Sequence, residues 1–261
     1  MKLGISHSFP AQVTARADAA CPALAGRETA PEWWRHACVA LHGHRALGAA
    51  WYACDRAVKD VEEGGDLDAH LAASLYNSRS VVELDLGLWE DAEASLAKAD
   101  AHHPDVALYV AALADVVLVR AAGAVLRLAD AVANVDPNVG FPDSSEEYEA
   151  RLDAHGFPRG VLPGVVAVCA RNPACLRVRV AAPDGAPADR GATAAAAAAL
   201  VERLRTSKDL FDAAIALDAA RRDANDSPRA VTAPLHPKQH ESLVAHAAML
   251  AKILEDVEFV A

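Results

Sequence analysis

The feature that most constrains this chain is a recurring pattern of alanine and leucine at helical spacing, closed by turn residues and prolines. It is clearest in residues 87–104 (GLWEDAEASLAKADAHHP), where Ala92, Leu96 and Ala99 follow a glycine and a tryptophan and precede a proline. Positions three and four apart share one face of an α-helix. Alanine supplies much of the 53% hydrophobic content, whereas aromatic residues make up only 5%. Because alanine is the best helix former and buries little area, we expect an all-α fold of closely packed helices.

Helix start and stop signals divide the chain into segments. Pro31 opens the first helix, the GGD at residues 64–66 ends the next, and Pro104 ends a second pair. We expect a third pair over residues 105–135. The predicted organisation is an irregular N-terminal segment (1–30), helical repeats (31–138), an irregular insert with a candidate strand at 175–182 (139–191), and C-terminal helices that pack on the array (192–261).

The register of the second pair resembles the tetratricopeptide repeat, a unit of about 34 residues built from two antiparallel helices. The first-helix half fits less well, because Arg79, Ser80 and Glu83 stand where apolar or small residues are usual, although Tyr76 fits its aromatic position. The turn and second helix of a repeat that begins at Ala73 match at six positions: Gly87, Trp89, Ala92, Leu96, Ala99 and Pro104.

The same register recurs more weakly from residue 31, from residue 106 and over residues 193–227. The resemblance implies an antiparallel helical hairpin array (TPR-like) with additional capping helices. An irregular helical bundle is the alternative, because an alanine-rich chain matches small-residue positions easily.

The resemblance also implies a function, since stacked hairpins present their first helices on a concave face that binds an extended peptide or a partner helix. Groove positions of the third repeat are apolar, and burial beneath residues 139–190 is the alternative for them. The family's clamp for a C-terminal carboxylate is not indicated, because only Arg35 and Asn77 are of the required type. The candidate binding residues are Arg35, His36, His42, Asn77 and Ser78, with Val39 and Val81 at neighbouring groove positions.

Eleven histidines suggest a second possibility. Neutral imidazoles bind haem and divalent metals, and His236, His240 and His246 are the candidate ligands. His236 and His240 are four residues apart, which puts them on one helix face, although His236 is equally placed to cap that helix. His246 lies in an apolar stretch where a histidine of the core is the simpler interpretation. His102 and His103 are interpreted as the polar end of a helix.

The net charge and the cysteine content argue against several other classes of function. The net charge of -11 argues against binding to nucleic acid. The five cysteines lack a C-x-x-C pair, so we expect neither a disulfide framework nor a thiolate zinc site. We expect Cys38 and Cys54 to be small core thiols, and Cys169 and Cys175 to be reduced.

A cytoplasmic location without a membrane partner is therefore expected. The most apolar run, residues 106–119, is short and predicts a buried helix rather than a membrane span. These observations favour an adaptor, scaffold or regulatory module that binds a protein or peptide, has no cofactor and has no catalysis of its own. The alternative is an all-helical enzyme with a histidine-ligated haem or metal, for example an oxygenase.

Overall fold

A computed structural model describes residues 31–64, 67–133, 144–172, 174–175, 190–223 and 234–257. The elements in these ranges are all α-helices, which confirms the predicted all-α class. The candidate strand lies almost wholly outside the described residues. The helices are α1 (Pro31–Gly43), α2 (Leu47–Glu62), α3 (Ala69–Leu86), α4 (Trp89–His102), α5 (Ala107–Ala133), α6 (Ser145–Ala154), α7 (Val161–Arg171), α8 (Arg190–Asp223) and α9 (Pro237–Glu255).

The described residues form two compact units that divide between Tyr109 and Val110. The N-terminal unit contains α1 to α4 and the first residues of α5. The C-terminal unit contains the rest of α5 and α6 to α9.

Two helical hairpins build the N-terminal unit. Helix α1 packs on α2 and α3 packs on α4, while α3 also contacts α2 and α1. The turn of the second hairpin follows the sequence prediction. Gly87 caps α3 with a left-handed φ of 77°, a conformation that glycine adopts without steric cost, and α4 begins two residues later at Trp89. Helix α4 ends before Pro104, also as predicted.

Two of the unexpected polar residues of α3, Arg79 and Glu83, form a buried network. Glu83 is 0% exposed. Its two carboxylate oxygens accept hydrogen bonds from Arg79 Nε on the same helix and from Ser95 Oγ on α4, each at 2.7 Å. A second arginine nitrogen lies 3.6 Å from Asp55 on α2. Burial alone would lower the pKa of Arg79, but the charge and hydrogen bond of Glu83 outweigh it and raise that pKa. The residues that depart from the repeat pattern therefore link three helices.

The cysteines of the first hairpin also differ from expectation. Cys38 on α1 and Cys54 on α2 form a disulfide with a Cα–Cα distance of 5.1 Å. The prediction of two separate core thiols is therefore wrong, because helix packing brings two small buried positions within bonding reach. In the C-terminal unit Cys169 and Cys175 are buried thiols that are not joined in a disulfide, as expected for reduced cysteines.

The predicted third hairpin is a single helix. Helix α5 runs for 27 residues without interruption, and α8, where a further repeat was predicted, runs for 34. Both segments lack proline. A single interior glycine such as Gly123 costs only about 1 kcal/mol, so nothing local forces a turn. By length and composition helix α5 is long and apolar enough to cross a membrane, and 61% of its most apolar stretch is buried inside the structure.

The predicted irregular insert contains two helices, α6 and α7. Ser144 caps α6 by accepting a hydrogen bond from the backbone N–H of Glu147 at 3.1 Å. Helix α7 approaches α9 so closely that a Cβ on Gly164 would clash with the side chain of Ile253. Helix α9 also packs on α8.

Candidate functional site

The predicted groove residues lie at the surface of α1 and α3, which contact each other in the N-terminal unit. His36 is exposed, and Arg35, His42, Asn77 and Ser78 are half-buried. The two apolar groove positions are more exposed than is usual for valine, with Val39 at 53% and Val81 at 40%. These helices therefore present polar and apolar side chains together on their outer faces.

Two of the five candidates make bonds within the unit. His42 Nε2 lies 2.9 Å from Asp85 Oδ2, which also accepts a hydrogen bond from Arg45 at 2.7 Å. The hydroxyl of Ser78 donates to the backbone carbonyl of Ser74 one turn earlier, at 2.8 Å. The His42–Asp85 contact joins α1 to α3, and the Ser78 hydrogen bond spans one turn of α3. His42 and Ser78 therefore have structural roles here.

Arg35 belongs to a different group of residues. We call Arg35, His70, His103 and Tyr109 the Arg35 cluster. They come from α1, the first turn of α3, the segment after α4, and the first turn of α5, all within the N-terminal unit. The rings of His70 and His103 are 5.8 Å apart, and the charge of Arg35 acts on both His70 and Tyr109.

Three polar atoms of the cluster are buried without a hydrogen-bond partner in the described part of the chain. Arg35 Nε, His103 Nδ1 and the Tyr109 hydroxyl make no hydrogen bond to any residue that the structure describes. Tyr109 is only 2% exposed. Buried polar groups are nearly always hydrogen-bonded in folded proteins, so each exception requires an explanation.

The cluster shifts the pKa values of its own members. Burial lowers the pKa of His70, and His103 and Arg35 lower it further, while Asp68 acts in the opposite direction. Burial raises the pKa of Tyr109, against a smaller opposing effect of Arg35. The His70 imidazole is therefore biased towards its neutral form, and the tyrosine hydroxyl stays protonated and able to donate.

Sequence reasoning singled out only Arg35 from this cluster. His70 lies just after the start of a helix, and His103 was interpreted with His102 as the polar end of another. His102 fits that interpretation, because it is exposed at the last position of α4. The one available signal was that His70, His103 and Tyr109 each lie close to the end of a helix. These helix ends come together only when the hairpins fold.

The apolar groove positions of the predicted third repeat are not open to solvent. Val110 is half-buried, and Ala111, Ala114 and Val117 are buried. Ser207 on α8 donates a hydrogen bond to the backbone carbonyl of Ala114 at 2.9 Å. The alternative of burial therefore holds for Ala111, Ala114 and Val117, and α8 contacts Ala114.

The three histidines of the haem or metal alternative have separate surroundings. His236 caps α9 through its side chain and completes a capping box with Gln239. His240 Nδ1 lies 2.7 Å from Asp218, a carboxylate that is 0% exposed. His246 lies beside the Phe211 ring, with Nδ1 3.5 Å from Asp115.

Within the described ranges, no group of three or more histidine, cysteine or acidic side chains has a geometry that could hold a metal ion. Haem ligation by a single histidine stays a prediction.

The C-terminal unit also has a cleft of about 310 Å³ between α6 and α7. Its lining is mostly apolar, including Leu152, Phe157 and Val166, and Arg159 pairs with Asp153 beside it. The hydrogen bond from Arg159 lowers the pKa of Asp153. None of the predicted site residues lines this cleft.

Comparison with family models, with curated proteins and with solved structures found no match for this chain.

Proposed function

We propose that the N-terminal unit is a helical-hairpin module that binds a peptide segment of a partner protein along the outer faces of α1 and α3. The observation that carries this proposal is the exposure of two valines, Val39 and Val81, on two helices in contact, at positions that the repeat register predicts to face a groove. His36 and Asn77 lie on the same two helices and supply polar groups for a bound backbone.

The physical argument rests on the cost of exposed apolar surface. Each valine side chain that a partner covers stabilises a complex by about 1 kcal/mol or more. Polar neighbours fix the orientation of a bound peptide, because their hydrogen bonds are directional. A tight hairpin pair offers a rigid surface, which reduces the entropy lost on binding.

A binding screen tests the proposal. The purified chain is used to select peptides from a random library, and the affinity of selected peptides is measured by fluorescence anisotropy. We expect the double variant V39D/V81D to lose at least tenfold in affinity. The control V166D/V244D changes two valines of similar exposure, 50% and 43%, in the C-terminal unit and should retain binding.

Two results would contradict the proposal: no peptide selected above background, or equal losses in the two double variants. A third variant addresses the polar positions. If replacing Arg35, His36 and Asn77 together leaves the affinity unchanged, the assignment of the groove to α1 and α3 is wrong.

A further inference from the structure

The Arg35 cluster combines a permanent cation with three groups that can donate hydrogen bonds. Arginine keeps its charge at any physiological pH, a neutral imidazole donates one N–H, and the tyrosine donates its O–H. We propose that Arg35, His70, His103 and Tyr109 form a binding site for a small oxoanion, a phosphate or a carboxylate group.

The unpartnered atoms are the first argument. Arg35 Nε and Tyr109 OH are donors, His103 Nδ1 donates in one of its two tautomers, and all three atoms are buried without a partner in the described part of the chain. Three such atoms in one group of residues call for an acceptor, since a buried donor without one destabilises the fold. An oxoanion has several lone pairs and satisfies more than one donor at once.

The charges around the Arg35 cluster favour an anion over a cation as its ligand. Arg35 acts on both His70 and Tyr109, so a metal ion bound at the imidazoles would face a fixed positive charge. Asp68 is the carboxylate that acts on His70, and it is exposed at the N-cap of α3. The buried side of the cluster therefore favours negative charge.

Geometry favours an oxoanion over a halide. The planar guanidinium presents parallel N–H groups that match two oxygens of a carboxylate or phosphate. The first turns of α3 and α5, which carry His70 and Tyr109, add the positive end of the helix dipole. Arg35 is shared with the proposed peptide site, but this inference does not depend on that site, because the cluster needs neither Val39 nor Val81.

Thermal unfolding with added anions tests the inference. Tryptophan fluorescence is followed while inorganic phosphate or sodium acetate is titrated, with sodium chloride at equal ionic strength as the reference. We expect a saturable rise in Tm with phosphate, acetate or both, and the anion that acts identifies the group bound. No rise above the chloride reference at millimolar concentrations would overturn the inference.

Variants assign the effect to the cluster. Y109F removes one donor without changing the shape of the side chain, so affinity should fall about tenfold, while the anion-free protein melts no lower than the wild type. R35K keeps the positive charge but loses the parallel N–H groups of the guanidinium, so it should also weaken anion binding. R45Q removes an exposed arginine of the same unit and should bind normally. Equal weakening by R45Q and Y109F would show non-specific charge binding and refute the site.

Histidine NMR supplies a readout that a structural role would not move. His70 faces Asp68 on its own helix, His103 from the segment after α4, and Arg35 from α1. A bound anion favours the imidazolium, so saturating phosphate or acetate should raise the pKa of His70, and affinity should increase as the pH falls. An unchanged His70 titration with the anion bound would refute its place in the site.

Discussion

The buried ion pair of α3 leads to a prediction about stability. Replacing Glu83 with leucine removes a carboxylate that is 0% exposed and has a 2.7 Å hydrogen bond on each oxygen. Arg79, whose side chain is only 18% exposed, then keeps a charge without its main partner. Breaking a buried pair on one side costs about 3–5 kcal/mol. Because Arg79 retains Asp55 at 3.6 Å, we expect the lower end, about 3 kcal/mol.

Replacing both partners should restore most of this loss. The variant R79M/E83L has apolar side chains where the repeat pattern favours them, and exchange of a buried pair for apolar residues is often neutral or stabilising. We expect its unfolding free energy to lie within about 1 kcal/mol of the wild type. R79M alone leaves the Glu83 carboxylate buried with Ser95 as its only bonded side chain among the described residues, so it should be the least stable of the three variants.

Urea unfolding followed by tryptophan fluorescence measures these energies. The signal reports the N-terminal unit selectively, because all four tryptophans of the chain lie within it: Trp33, Trp34, Trp51 and Trp89. The control E63L breaks an exposed pair in which Lys59 and Glu63 are 3.5 Å apart, and it should cost less than about 1 kcal/mol. If R79M/E83L is as unstable as E83L, the coupling between the two charges is not what stabilises the pair.

Three further predictions concern a cross-link, a pH response and a close contact. Reduction of the Cys38–Cys54 disulfide, which links positions 16 residues apart, should lower the unfolding free energy of the N-terminal unit by about 3 kcal/mol; an unchanged urea midpoint in dithiothreitol would contradict the bond. Burial alone would raise the pKa of Asp218, but hydrogen bonds from Arg222, the Leu235 N–H and His240 outweigh it and lower that pKa. The stability that the Asp218 carboxylate contributes is therefore present above its unfolded pKa and is lost as the pH falls through its folded pKa. Circular dichroism melts from pH 7 to pH 2 should therefore show a smaller acid-induced loss in D218N, and equal slopes would refute this. G164A should cost about 1–3 kcal/mol by overpacking against Ile253; the control G48A, with open space around its Cβ, should cost nothing in the same melts.

Interactions between neighbours in the chain made part of this fold predictable. The helix start at Pro31, the turn at Gly87, the cap at Ser144 and the stop before Pro104 each depend on the backbone chemistry of a few adjacent residues. Alanine-rich periodicity identified the all-α class for the same reason. The two long helices were missed because periodicity alone does not show where one helix ends and another begins when no breaker intervenes.

Of the candidate site, the sequence indicated the outer faces of α1 and α3 and one member of the Arg35 cluster. It did not indicate His70, His103 and Tyr109, because they come from three separate segments of the chain. The resemblance to a repeat family identified candidate groove positions, but it carried no information about buried atoms without partners.

The sequence by itself determined that this chain forms amphipathic helices and where many of them begin and end, because helix propensity and capping are local. The tertiary structure alone decided what its polar residues do. Arg79 and Glu83 do not fit the repeat pattern, and only the folded structure shows that they interact with Asp55 and Ser95. Cys38 and Cys54 come within bonding distance only when their two helices pack. Long-range packing sets burial, and burial sets the energetic value of a charge or a hydrogen bond.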